Sequence, residues 1–214
     1  MTQKSASPRD RYRTHVRAEI KERAWAQIAG AGASALSLNA IAKQMGMSGP
    51  ALYRYFAGRD ELITELVTDA YRSLADTFRA AAADGAGLAE LAHALRRWAL
   101  DDPQRYFLMY GTPVPGYRAP GDTTAIATDI MAVLLDACAA VPADGAETAL
   151  DAHLAQHRGG WGGGQSAPVL RRALTFWTRL HGVLSLELAG QFTGMDFDPA
   201  QLFAAELDNL LASR

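Results

Sequence analysis

A short segment near the N-terminus concentrates side chains that can donate hydrogen bonds to oxygen acceptors. Residues 48–55 read SGPALYRY and combine one hydroxyl, two phenols and one guanidinium. Phenols and guanidinium groups hydrogen-bond phosphate oxygens, and a guanidinium can also bind the O6 and N7 atoms of guanine. These residue types indicate contact with a nucleic acid, provided that the segment presents them to solvent.

Enzyme catalysis or metal binding is the main alternative function, and the sequence contains few residues in a pattern that would support either. His153 and His157 have the spacing of two ligands on one helix face, but Leu154 stands where the HExxH metal motif needs glutamate. His181 and Cys138 have no catalytic partner that the sequence identifies. We therefore expect no enzymatic activity, no metal and no cofactor.

Two short helices joined by a tight turn would hold the donor-rich segment. The first has apolar residues at helical spacing, namely Leu38, Ile41, Ala42 and Met45. Ser37 is its natural N-cap, and Gly46 can end it by adopting a left-handed conformation. Ser48 then begins a second helix over Gly49–Phe56. This pattern over residues 37–56 predicts a helix-turn-helix, which places its second helix in the major groove of DNA.

The second helix should turn its polar side chains away from the first. Leu52 and Phe56 lie one turn apart and can anchor it, which leaves Pro50, Ala51 and Arg54 outward and the tyrosines on the flanks. The predicted DNA contacts are Ser37, Ser48, Gly49, Pro50, Ala51, Tyr53, Arg54, Tyr55 and Arg59. The alternative is that the tyrosines are half-buried packing residues in an ordinary helical hairpin.

The charge distribution agrees with this prediction. Residues 1–60 contain 10 Lys and Arg against 4 Asp and Glu, whereas residues 61–214 contain 11 against 19. Such asymmetry is typical of a chain whose one end meets a polyanion. A basic, solvated face is the alternative explanation.

Helical spacing of apolar residues recurs along the whole chain and predicts an all-α fold. A three-helix N-terminal domain would span residues 1–60, a fourth helix over 59–82 would link the domains, and residues 83–214 would form a helical bundle. The first helix is expected over Arg11–Ala29. The later helices are expected near residues 88–98, from Pro103, and over 126–137, 145–156, 168–190 and 199–212. Residues 111–121 and the glycine-rich stretch 159–164 are predicted loops, the second flexible and without a phosphate-binding signature.

Cysteine content and hydropathy suggest a cytoplasmic protein. The single cysteine, Cys138, cannot form an internal disulfide and sits in an apolar stretch that suits a buried position. No segment reaches the roughly 18 apolar residues that a membrane span requires. We expect no membrane association.

The helix-turn-helix string resembles the DNA-binding region of the tetracycline-repressor-like (TetR) family. The matching residues are Ile41, Ala42, Gly46, Ser48, Leu52, Tyr53, Tyr55 and Phe56. The family commonly has lysine at the start of the next helix, where this chain has Arg59, which keeps the charge but changes the hydrogen-bond geometry. Farther on, Trp177, His181 and Gly182, supported by residues 102–111, resemble the Trp-His-Gly signature of one C-terminal subgroup.

This resemblance implies a homodimer that binds a near-palindromic operator, usually as a repressor. It also implies that two apolar seams form an intersubunit four-helix contact. The seams comprise Leu170, Leu174, Trp177, His181, Leu184 and Leu188, followed by Phe203, Leu207 and Leu210. The alternative is that they face only the core of their own subunit.

An effector would bind in the C-terminal domain and shift the dimer away from the DNA-binding arrangement. The predicted ligand-binding residues offer aromatic or polarizable walls with a few polar tips. They are Trp98, Phe107, Tyr110, Met131, Trp177 and His181. Together they predict a small apolar or aromatic effector, although core packing is the alternative for each. A helical protein-interaction module that does not bind DNA is the remaining functional class.

Overall fold

The apolar spacing of the sequence is realised as helix along almost all of the chain. The computed structural model describes residues 7–111, 121–142, 147–157 and 161–212. Within these ranges there are ten α-helices and no strand, which confirms the all-α prediction. The helices are α1 (Pro8–Ala31), α2 (Leu38–Gln44), α3 (Gly49–Leu52), α4 (Arg59–Ala83), α5 (Leu88–Asp101), α6 (Pro103–Tyr110), α7 (Gly121–Ala139), α8 (Ala149–Gln156), α9 (Ala167–Leu188) and α10 (Pro199–Ala212). None of these described helices is long and apolar enough to cross a membrane.

Capping explains why α1 starts earlier than the sequence predicts. The helix begins at Pro8 rather than Arg11 because Ser7 accepts a hydrogen bond from the Asp10 N–H at 3.2 Å. The Asp10 carboxylate in turn accepts from the Ser7 N–H at 3.3 Å. This reciprocal capping box satisfies backbone donors that the first turn would otherwise leave open.

The predicted loops are described only in part. Residues 112–120 and 158–160 lie outside the described ranges, as does the predicted beginning of α8 at Gly145. The described α8 begins at Ala149, where Thr148 and Asp151 form a second capping box. In the glycine-rich stretch, Gly163 and Gly164 have φ of 55° and 81°, so an irregular backbone is confirmed there.

Two hydrophobic cores share helix α4. The first core is built from α1, α2, α3 and the beginning of α4, and the second from the rest of α4 together with α5 to α10. Tyr71 of α4 packs against both cores. Helix α4 therefore links the two cores directly, while the domain boundaries at residues 60 and 83 stay a prediction.

Five of the nine residues in the apolar seams that the sequence predicts between subunits are buried inside their own subunit instead. Leu170 and Leu184 of α9 have no solvent exposure, and Phe203, Leu207 and Leu210 of α10 are at most 3% exposed. For these five residues the predicted intersubunit contact is wrong, whereas Leu174, Trp177, His181 and Leu188 are partly exposed, and a contact through them stays a prediction. The reason for the error is that α9 and α10 bury their apolar faces against their own core. The helical spacing of apolar residues identified a buried face but not the surface that this face packs against.

A buried arginine fixes the end of α7 against α9. Arg172 is 8% exposed and donates to the carbonyl oxygens of Cys138, Val141 and Pro142 at 2.8, 2.7 and 2.7 Å. The last carbonyls of a helix have no partner within it, and a cation interacts favourably with them. The guanidinium therefore supplies hydrogen-bond donors to carbonyl groups at the end of α7.

Candidate functional site

The helix-turn-helix has the geometry that the sequence predicts for its turn. The Ser37 hydroxyl accepts from the Ala40 N–H at 3.3 Å and caps α2. Gly46 has a φ of 65°, and the Met47 N–H returns to the Ala42 carbonyl at 2.9 Å. This left-handed termination confirms the predicted role of Gly46.

The recognition segment, residues 48–56, is helical over a shorter stretch than predicted. Helix α3 ends at Leu52 rather than Phe56. Beyond it the backbone continues as tight turns, in which the Arg54 N–H bonds to the Ala51 carbonyl at 3.3 Å and the Tyr55 N–H to the Leu52 carbonyl at 2.8 Å. The tighter winding brings Phe56 back onto the core although the α-helix has ended.

Burial divides the recognition segment into an anchored side and a solvent side. Leu52 and Phe56 have no solvent exposure and belong to the first core. Ser48, Pro50, Tyr53 and Arg54 are exposed, with Tyr53 at 49%. Gly49, Ala51 and Tyr55 are partly exposed. A face with hydroxyl, phenol and guanidinium donors thus lies open to a ligand.

An arginine of α1 that sequence reasoning missed holds the recognition segment in place. Arg17 donates to the Tyr55 carbonyl and to Glu65 of α4, and its guanidinium carbon lies 4.1 Å from the centre of the Phe56 ring. One turn later, the Lys21 ammonium pairs with Asp69 at 2.6 Å. Matching intervals of four residues on α1 and α4 were the sequence signal for this pairing.

We expect Arg17→Met to weaken both folding and DNA binding. Methionine fills much of the space but cannot satisfy the Tyr55 carbonyl or the Glu65 carboxylate, and an unpaired, partly buried acceptor costs about 1 to 3 kcal/mol. Urea unfolding should show a loss in that range, and the affinity for DNA should fall with it. The conservative Arg17→Lys variant should lose less. Stability equal to that of the unmodified protein would show that Arg17 is not a structural clamp.

Two of the predicted DNA contacts, Arg59 and Ser37, already form hydrogen bonds within the protein. The Arg59 guanidinium donates to the carbonyl oxygens of Ala33 and Ser34 at 2.9 and 3.3 Å. Ser37 uses its hydroxyl to cap α2 and its N–H to bond Gln27 at 2.9 Å. Arg59 therefore fastens the α1–α2 connection to α4, and any phosphate contact would use its remaining N–H groups.

A second candidate site is a cavity of about 230 Å³ in the larger core. Helices α4, α6, α7 and α9 supply its lining, which is Tyr71, Tyr110, Ala127, Ile130, Met131 and Trp177. Three of these, Tyr110, Met131 and Trp177, are predicted ligand-binding residues. The Tyr110 ring meets Tyr71 and Trp177 edge-on, with centroids 6.4 and 5.8 Å apart. This arrangement suits a flat apolar ligand.

His181 stands behind two of the cavity's aromatic walls. Its ring centroid lies 4.5 Å from that of Tyr110 and 4.3 Å from that of Trp177. Its Nδ1 lies 2.9 Å from the Tyr106 hydroxyl, whereas Nε2 is buried and has no hydrogen-bond partner among the described residues.

Burial keeps this polar cluster uncharged. It lowers the pKa of His181 from 6.5 to about 4 and raises the pKa of Tyr106 to about 12 and that of Tyr110 further. Since the unfolded chain takes up the histidine proton near pH 6.5 and the folded chain only near pH 4, this group reduces stability as pH falls through that window. The cavity wall is therefore neutral at physiological pH.

The structure does not bring Trp98 or Phe107 to the lining of this cavity. Trp98 is 4% exposed, its indole N–H donates to Ser73 of α4 at 3.0 Å, and the Arg105 guanidinium lies 4.4 Å from its ring centre. Phe107 packs edge-on against Tyr106, with centroids 5.7 Å apart. These contacts join α4, α5 and α6, which is a packing role.

Comparison with known proteins identifies the class of molecule. Residues 20–66 match the family described as bacterial regulatory proteins, tetR family, and residues 88–210 match the tetracyclin repressor-like C-terminal domain. The HTH-type transcriptional regulators Rv1816 of Mycobacterium tuberculosis and Mb1846 of Mycobacterium bovis are each 37% identical over 217 residues. In both cases the match covers 94% of this chain and 92% of the relative.

Solved structures agree with this relationship. The crystal structure of SCO4313 superposes with a TM-score of 0.89 at 71% identity, covering 96% of this chain and 99% of that chain. A Rhodococcus protein of unknown function shares the fold, with a TM-score of 0.66 at 21% identity over 92% of this chain and 93% of its own. The chain is a helix-turn-helix transcriptional regulator that binds DNA, and not an enzyme. It belongs to the TetR family.

Proposed function

We propose that this regulator is a homodimeric, ligand-responsive repressor that binds a near-palindromic operator and releases it when a small neutral effector enters the cavity. The exposed recognition segment carries the proposal, because its donors face solvent while Leu52 and Phe56 are fully buried. Repression is the usual sense of the family. Since such an operator lies on the chromosome, we assign the protein to the cytoplasm.

Each exposed group of the recognition segment has a chemically suitable partner on DNA. The Arg54 side chain forms no hydrogen bond or ion pair within the described part of the chain, so its guanidinium is free for guanine or phosphate. Tyr53 and the uncommitted hydroxyl of Ser48 can donate to phosphate oxygens. Gly49 and Ala51 allow a base edge or a thymine methyl to approach closely.

Binding to the DNA upstream of the protein's own gene tests this proposal. Fluorescence anisotropy with a labelled duplex, repeated between 50 and 200 mM salt, should give affinities that fall steeply and log-linearly, since each phosphate contact releases counterions. A scrambled duplex should bind more weakly. If no duplex is bound even at low salt, the proposed operator recognition is wrong.

The homodimer is supported by the face of α9 that its own core leaves free. Thr178 and Gly182 are exposed, and Leu186 is 45% exposed, at intervals of four residues along the helix. Small side chains and one leucine allow close approach of a second α9 in an isologous contact. A twofold dimer of this kind would present two recognition segments about 34 Å apart, which is one turn of DNA.

The helices that line the cavity support the proposal that an effector controls DNA binding. Tyr71 lies on α4, packs against both cores and forms one wall, so a ligand there bears on the helix that leads to the DNA-binding end. Leu108 of α6 also packs against the first core, close in sequence to the cavity residue Tyr110. A ligand that prefers one arrangement of α4 and α6 shifts the population between DNA-binding and released states.

We expect Ala127→Phe to abolish the effector response without abolishing DNA binding. Ala127 lines the cavity on α7, far along the chain from the recognition segment, and a benzyl group there would occupy ligand volume. Operator affinity measured with and without a panel of neutral aromatic compounds should change in the unmodified protein but not in the Ala127→Phe variant. Ala125→Phe, at an exposed position of the same helix, is the matched control and should keep the response. A full response of Ala127→Phe would place the effector elsewhere.

A further inference from the structure

An open basic groove lies beside the recognition segment, between it and the first turns of α1. Its volume is about 520 Å³, and its lining is Arg9, Asp10, Tyr12, Arg13, Arg54 and Tyr55. Three guanidinium groups from two separate elements therefore border one groove. The residues of α1 were not among the DNA contacts that the sequence predicts.

The guanidinium groups of this groove are free to bind an external anion. Arg9, Arg13 and Arg54 are exposed, and none of their side chains forms a hydrogen bond or ion pair with a residue that the structure describes. The groove's one carboxylate, Asp10, accepts two hydrogen bonds from Ser7, at 2.7 Å from the hydroxyl and 3.3 Å from the N–H. These bonds hold the pKa of Asp10 below its usual range, so the acid stays committed to capping. The balance of the groove is strongly cationic.

We propose that this groove holds the sugar-phosphate backbone of the DNA strand that flanks the half-site contacted by the recognition segment. Arg9 and Arg13 lie one helical turn apart, about 6 Å along α1, so each can bind a different phosphate of one strand. Tyr12 is 65% exposed between them and can pack against a sugar or donate to a phosphate. The inference rests on the proposed operator binding and extends the contact surface beyond the helix-turn-helix.

Continuity with the recognition segment favours duplex DNA as the occupant. Arg54 and Tyr55 border the groove and also belong to the recognition segment, so a strand bound at the recognition segment can continue into the groove and reach Arg9 and Arg13. Contacts of this kind bind phosphates irrespective of sequence. The α1 arginines therefore add affinity and fix the register of the protein on DNA, while Arg54 discriminates between bases.

The salt dependence of operator binding tests this inference. The double variant Arg9→Gln, Arg13→Gln should reduce the slope of log affinity against log salt by about 3 to 4 per dimer, at roughly 0.9 for each lost phosphate contact. Its affinity for operator and for scrambled duplex should fall by the same factor. Arg9→Lys, Arg13→Lys keeps the charges and should keep most of the slope. Hydroxyl-radical footprints of the glutamine variant should lose protection at the flanks of each half-site.

A matched control removes the same charge elsewhere. Arg72→Gln, Arg97→Gln takes two exposed guanidinium groups from α4 and α5 and should leave the slope and the footprint unchanged. The α1 glutamine variant is compared with this control both in the slope of log affinity against log salt and in footprint protection at the half-site flanks. If it matches the control in both while the unmodified protein binds its operator, the groove inference is wrong and the proposed function stands. If the unmodified protein binds no duplex at all, both are overturned. Unchanged circular dichroism and urea midpoints in both variants confirm that folding is intact.

Discussion

Phe56→Ala is expected to cost about 3 to 5 kcal/mol of folding free energy and to abolish operator binding, because it empties a fully buried aromatic position. The Phe56 ring has no solvent exposure and closes the first core below the Arg17 guanidinium, 4.1 Å away. It is also where the recognition segment returns to the core after α3 has ended. Losing this anchor releases Tyr53 and Arg54 from their fixed positions.

Urea unfolding with a DNA-binding assay measures this effect. The matched control is Phe197→Ala, since Phe197 lies in the α9–α10 connection and is 43% exposed. The control should change stability far less and keep operator affinity. An unfolding midpoint for Phe56→Ala as high as that of the control would show that Phe56 does not anchor the segment.

Arg54→Ala is expected to leave the fold intact and to weaken operator binding by about 1 to 3 kcal/mol for each half-site, which corresponds to roughly 5- to 150-fold. Arg54 is exposed and its side chain bonds to no described residue, so truncating it leaves no buried group unsatisfied. If it contacts guanine, the ratio between operator and scrambled duplex should fall as well.

The control for this prediction is Arg97→Ala, which removes an exposed arginine of α5, a helix of the second core and not of the DNA-binding end. Titration of both variants with operator and scrambled duplexes at one salt concentration separates a base contact from a general charge effect. If Arg54→Ala and Arg97→Ala bind the operator with equal affinity, Arg54 does not contact the operator.

The helix-turn-helix was predictable because its signals are local. Ser37 and Gly46 act through their own backbone neighbours, and the structure gives them the predicted cap and the predicted left-handed turn. The extent of α3 was not predictable from spacing, since residues 53–56 keep a helical sequence pattern while adopting tighter turns. The difference leaves Phe56 buried and Arg54 exposed, so the predicted orientation holds with a shorter helix.

Features that depend on distant parts of the chain were harder to predict. Spacing identified the apolar face of α9 but not its partner, and Leu170 and Leu184 are buried in their own subunit. Trp98 has the residue type of a ligand wall, yet its indole donates to Ser73 on another helix. The pairing of Arg17 with Glu65 spans 48 residues, so the matching four-residue intervals indicate it only once α1 and α4 are known to lie side by side.

The central claim is that the exposed recognition segment reads a duplex, and selection of bound fragments from genomic DNA tests it most directly. The unmodified protein should enrich a near-palindromic sequence whose half-sites lie about one helical turn apart, ~34 Å, and Arg54→Ala should enrich it far less. A library recovered without any common sequence, or the same enrichment with and without Arg54, would contradict the account.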